Sequence, residues 1–80
     1  MTKTAPTTAP ALLETLGKNV RLRRISLQLS QEQLAEKAGL HRTYIGMVER
    51  AEKNITILNV QRLSLALECT VAELLDETRH

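Results

Sequence analysis

The chain has 80 residues, 42% of them hydrophobic, with one aromatic side chain (Tyr44), one cysteine (Cys69) and a formal net charge of +2. One small domain is expected at this length, and the lone cysteine excludes an internal disulfide framework or a cysteine-clustered metal site. No run approaches the ~18–20 apolar residues of a membrane span, and the start "MTKTAPTTAP" has no apolar segment of the kind a secretory signal needs, so a cytoplasmic protein without membrane contact is expected.

Residues 1–9 are Thr, Ala and Pro with Lys3 among them, and they show no periodicity. They read as a disordered tail, the alternative being an arm whose Lys3 touches a phosphate. Pro10 suits a first helical position. Leu13, Leu16, Val20 and Leu27 follow at helical spacing, with Leu12 beside them. A first helix over about 10–27 results. Ser30 and Gln33 then form a capping box opening a second helix of about two turns. Its buried stripe is Leu34, Ala35 and Ala38, and Gly39 ends it in the left-handed conformation.

A third helix covers about 42–50, with Ile45 and Val48 inward. Thr56 caps a fourth, on which Val60, Leu63 and Leu67 recur. Thr70 and Glu73 make a second capping box for a short fifth helix carrying Val71, Leu74 and Leu75. The expected fold is all-α: five helices, no strands, one compact domain over 10–78. With leucine, isoleucine, valine and alanine as its only large supply of core atoms, helix packing is favoured over a β-sandwich.

Helices 2 and 3 are joined by "GLH", and a short glycine-containing connection of this kind defines a helix-turn-helix. Ala35 is small where the helices cross, and Leu40, Ile45 and Val48 lock the pair. Such a unit presents the start of its second helix to a major groove while the first rests on a phosphate. The charge distribution agrees. Residues 1–30 hold five Lys/Arg against one Glu, whereas residues 54–80 hold two Arg against four acids. The basic end suits a polyanion.

Residue types on helix 3 fit that role. An arginine at position 42 matches the O6 and N7 of guanine. Thr43 can hydrogen-bond a base edge or pack on a thymine methyl, and Met47, one turn on, can also meet a methyl or else fill a partly buried gap. Tyr44 should point sideways with its hydroxyl toward a phosphate. His41 stands at the N-cap, where Ser or Asp is better, and is a phosphate candidate. Gln31 opens helix 2, where the dipole favours an anion. Gly46, in the middle of the helix, reads as a missing side chain that lets the backbone approach DNA.

Residues 16–75 resemble the phage repressor/Cro-type (Xre-like) DNA-binding domains. Within that family, "LHRTYIGMVERAEKNITI" followed by "LECTVAELL" is most similar to restriction–modification controller proteins. The resemblance implies a small homodimeric regulator of transcription acting on double-stranded DNA at a palindromic operator. It also implies a backbone contact by Gln31, contacts to phosphate or base edges by Lys53 and Asn54, and a largely buried ion pair between Arg24 and Glu49. Leu65 falls where the family often places lysine. With Ile57, Leu58, Leu74 and Leu75 it suggests a two-fold interface on helices 4 and 5. Gln28, Ala51 and Glu68 replace glycines of the family, which suggests longer or differently ended helices. Arg23 stands where leucine is frequent.

An antitoxin-type helix-turn-helix protein, or a protein–protein module, is the alternative. No nucleophile set, phosphate loop or metal-spaced ligand group marks an enzyme, and His41 and His80 do not suggest a shared site. No cofactor and no small-molecule ligand is expected. Cys69 reads as a small buried hydrophobe.

Overall fold

The computed structural model describes residues 9–78. Five helices follow in chain order: α1 Ala9–Ser26, α2 Gln31–Ala38, α3 Arg42–Glu49, α4 Ile57–Ala66 and α5 Val71–Leu74. There is no strand among the described residues. The anticipated tail over 1–9, with Lys3, lies outside the described residues except for Ala9, which already belongs to α1.

Local chemistry sets the helix starts. Ser30, Thr56 and Thr70 each accept a hydrogen bond from a backbone N–H three residues on. Gln33 and Glu73 return a bond to the cap N–H, completing two capping boxes. His41 caps α3 in extended backbone and makes no side-chain bond, as expected of a residue poorly suited to the position.

The helix ends share one construction. At the close of α1, α2, α3 and α4, an N–H bonds back across five residues: Leu29 to Arg24, Leu40 to Ala35, Glu52 to Met47 and Cys69 to Ser64. Each is a Schellman closure, which requires a left-handed residue just before that donor. Those residues are Gln28, Gly39, Ala51 and Glu68, with φ of 60°, 71°, 60° and 60°. The expectation that lost glycines lengthen or re-end the helices is therefore corrected. The turn is the same in all four places, and three of them carry a Cβ that disfavours it.

Packing centres on Leu16, Val20, Leu34, Ile45, Leu63, Leu67 and Leu74, all within 2% of full burial. α3 packs on α1 and α2, α2 on α4, and α5 on α1 and α4. The crossing of α1 over the end of α3 is close enough that a Cβ at Gly17 would lie 2.5 Å from the Val48 carbonyl oxygen and 2.8 Å from that of Glu49. Only hydrogen fits there.

α1 also closes the ends of two other helices. The Asn19 amide nitrogen, on a buried side chain, donates to the carbonyls of Leu74 and Asp76 at 2.9 Å each and of Glu73 at 3.4 Å. One turn later, Arg23 donates Nε to the Leu67 carbonyl at 2.8 Å and Nη2 to that of Glu68 at 3.0 Å. These are the orphan carbonyls that a helix C-terminus leaves, and a cation beside them also meets the negative end of the helix dipole. That is why an arginine stands at position 23. Leu74, expected at a dimer interface, is 1% exposed within the single chain. The one-turn α5 can bury only one side, and that side faces α1 and α4.

Candidate nucleic-acid interface

The α2–α3 pair is held by charge as well as by its apolar seam. Arg24 reaches from α1 to Glu49 near the end of α3, with Nε to Oε2 at 2.7 Å and Nη2 to Oε1 at 3.0 Å. The two side chains are 12% and 4% exposed. A bidentate pair of this kind is charge-assisted and directionally demanding. The hydrogen bond that Arg24 donates to Glu49, and to a lesser degree the Glu49 charge, raises the Arg24 pKa against the opposing effect of burial. The same guanidinium donates Nη1 to the Leu29 carbonyl in the turn before α2. Gln31 adds a bond from Nε2 to Glu49 Oε1 at 3.0 Å. One carboxylate thus ties α1, the start of α2 and the end of α3 together, and fixes how α3 is presented. Among the described residues no buried side-chain nitrogen or oxygen lacks a partner.

What α3 presents follows from its 3.6-residue period. Ile45 and Val48 are buried against the core. Thr43, Gly46, Met47 and Arg50 follow one another at i, i+3, i+4 and i+7, on the opposite stripe. His41, Arg42 and Thr43 are exposed at the α3 start, and Met47 is half-buried. Thr43 and Met47 therefore share this stripe, and the exposed Arg42 stands at the first position of α3, one turn before Gly46. Arg50, 58% exposed and paired with Glu52 at 3.1 Å, joins them. Its place in the stripe was readable from the spacing alone. Gly46 lies mid-stripe yet is buried, so its missing side chain does not leave an open gap.

The flanking residues divide. Lys53 and Asn54 are exposed in the loop after α3, and Asn54 borders the groove lined by Ile55 and Ile57. Tyr44 is half-buried and packs against the core. Its hydroxyl accepts a bond from Asn59 Nδ2 at 3.1 Å, and Lys53 Nζ sits 6.0 Å from its ring centroid. The phenol is thereby oriented by α4 and keeps its own proton to donate. Gln31 commits its side chain to Glu49, so its outward asset is the backbone N–H at the helix start. The Gln33 and Leu34 N–H groups are already taken by Ser30, which leaves those of Gln31 and Glu32 as the first-turn donors.

Ile57, Leu58 and Leu65 of α4 are 67%, 66% and 72% exposed. Leu75 is half-buried and lines a groove of about 240 Å³ with Leu12, Leu13, Ile55 and Ile57. Among the described residues there is no metal-binding cluster, and no helix is long and apolar enough to cross a membrane.

Residues 20–74 match the HTH_3 helix-turn-helix family, and the chain belongs to that family. Within it, the chain is similar to proteins that control restriction–modification systems. Control protein C.SmaI of Serratia marcescens is 55% identical over 62 residues, covering 78% of this chain and 74% of that protein. The crystal structure of the restriction–modification controller protein C.AhdI from Aeromonas hydrophila superposes with a TM-score of 0.75 at 40% identity, over 78% of this chain and 94% of that one. SinR, a master regulator for biofilm formation solved in complex with DNA, superposes at 0.73 with 32% identity, over 76% of this chain and 98% of that one. The all-α repressor-like architecture expected from the sequence is the one observed.

Proposed function

We propose that the chain is a sequence-specific transcription regulator of the restriction–modification controller kind, acting in the cytoplasm as a homodimer on a palindromic operator. One observation carries the reading. Arg42 and Thr43 are exposed in the first turn of α3 with Met47 one turn beyond Thr43, and the Arg24–Glu49–Gln31 clamp ties the end of α3 to the first turn of α2. In this arrangement Arg42, Thr43 and Met47 read base edges. The Gln31 N–H, His41, the Tyr44 hydroxyl, Lys53 and Asn54 hold the phosphates that set register. The likeness to C.SmaI and C.AhdI supports the controller assignment, and the likeness to SinR supports DNA as the partner.

Dimerisation is supported by the three exposed aliphatic side chains of α4, with Leu75 alongside. A helix of ten residues has no use for that much exposed hydrocarbon in a monomer. A single reading helix spans few base pairs, and two of them on one DNA face require centres about 34 Å apart.

Selection of bound duplexes from a random pool tests the reading. A two-fold symmetric consensus is expected, with affinity falling steeply as salt rises because each phosphate contact releases counterions. Arg42→Ala is expected to keep the fold and to lose about 1–3 kcal/mol of discrimination at one position of each half-site. An unselective, salt-insensitive protein would overturn the assignment.

A further inference from the structure

Gly46 is buried although it stands in the middle of an outward stripe. A Cβ at this position would lie 3.0 Å from Arg50 Nη1 and 3.7 Å from Gln31 Oε1. The Arg50 guanidinium therefore lies back across the Gly46 backbone. That path is natural, since helical side chains lean toward the N-terminus and cover residues one turn earlier. From there, Nη2 pairs with Glu52 Oε1 at 3.1 Å. Gln31, which walls the other side, is itself held by Glu49 at 3.0 Å.

We propose that Gly46 is a seat for the Arg50 guanidinium, and that the seated Arg50 is a further specificity-determining residue of the α3 face, set in register with Thr43 and Met47. An exposed Arg–Glu pair alone does little to hold a long side chain in place. The seat adds a flat backbone floor and a fixed amide wall, so less rotamer freedom is lost when the fork meets a base edge or phosphate. The glycine then serves DNA recognition through Arg50, rather than by letting the backbone itself draw nearer. The specificity role rests on the DNA-binding reading, whereas the seat is a property of the free protein.

Two measurements on the full chain separate these. In the free protein, the Arg50 Nε–H resonance is followed by NMR in wild type and in Gly46→Ala. A shifted, exchange-protected signal in wild type that collapses to the free-arginine position in Gly46→Ala is expected, with the melting temperature unchanged or raised. A free-arginine signal in wild type overturns the seat. On DNA, Gly46→Ala, Arg50→Ala and the double variant are titrated against duplexes that the wild type selects from a random pool. Each single variant is expected to lose about tenfold in selectivity, and the double no more than either. Multiplicative losses mean that the glycine acts independently of Arg50 and overturn the proposal. If the wild type selects no sequence, the DNA reading and the specificity role fall together, and the NMR result still decides whether the seat exists.

Discussion

Arg24 and Glu49 face each other across two helices, 25 residues apart in sequence, with both carboxylate oxygens engaged by one guanidinium at 2.7 and 3.0 Å. Gln31 shares the same carboxylate. Removing one member leaves a buried charge unmatched, and such losses are typically about 3–5 kcal/mol. Glu49→Ala is therefore expected to destabilise by that amount in denaturant titration. Arg24→Met with Glu49→Leu should recover most of it, because replacing both charges removes the penalty. If the double variant is as unstable as the single, the pair adds stability that hydrocarbon cannot replace.

Gly17→Ala tests the crossing of α1 and α3. The clashing atoms are backbone oxygens of Val48 and Glu49, which cannot rotate away, so the helices must separate. Overpacking of this sort costs about 1–3 kcal/mol, offset slightly by alanine's better helix propensity. A melting temperature below that of wild type is expected, with weaker DNA binding even where the variant is fully folded, since α3 is displaced. An unchanged melting temperature would show that the crossing relaxes freely.

The three left-handed residues bearing a Cβ offer the opposite prediction. A left-handed L-residue is disfavoured by about 1–2 kcal/mol, while glycine loses about 0.5–1 kcal/mol more on folding through its freer unfolded chain. Gln28→Gly, Ala51→Gly and Glu68→Gly should each stabilise by roughly 0.5–1 kcal/mol. In a domain of this size that raises the melting temperature by about 2–8 °C each. Thermal denaturation of the singles and the triple checks both the sign and the additivity.

Leu65→Asp addresses the proposed dimer. The side chain is 72% exposed, so the charge enters water in the monomer and the fold is unaffected. Sedimentation is expected to show a dimer for wild type and a monomer for the variant, with operator affinity lost in parallel. A wild-type monomer at micromolar concentration would rule out the two-fold arrangement.

The capped helix starts and the core stripes were legible in the sequence because capping boxes and periodicity are local signals. Ser30, Thr56, Thr70, Leu34, Ile45 and Leu63 sit where such signals place them. The helix ends were harder. Gln28 and Glu68 look wrong for a left-handed turn, yet each is followed by a half-buried apolar residue, Leu29 and Cys69, where this closure often has one. Leu74, expected at a dimer interface, is buried in the core, and a one-turn helix gives too short a pattern to show which side it faces. Asn19, Arg23 and Gly17 were missed for another reason. Their partners are backbone atoms more than thirty residues away, and no local pattern encodes them. Arg50 was missed although its i+7 relation to Thr43 was visible.

The Asn19 amide closes on carbonyls 54–57 residues further along. During synthesis at about 5–20 residues per second, roughly 3–10 s separate the appearance of α1 from that of its last partners. Over that interval α2 and α3 can pair with each other, but the helix that sets their orientation is still missing the contacts at its far end. A nascent chain thus holds α2, α3 and the Arg24–Glu49–Gln31 clamp before the far end of α1 gains its partners at the close of α5.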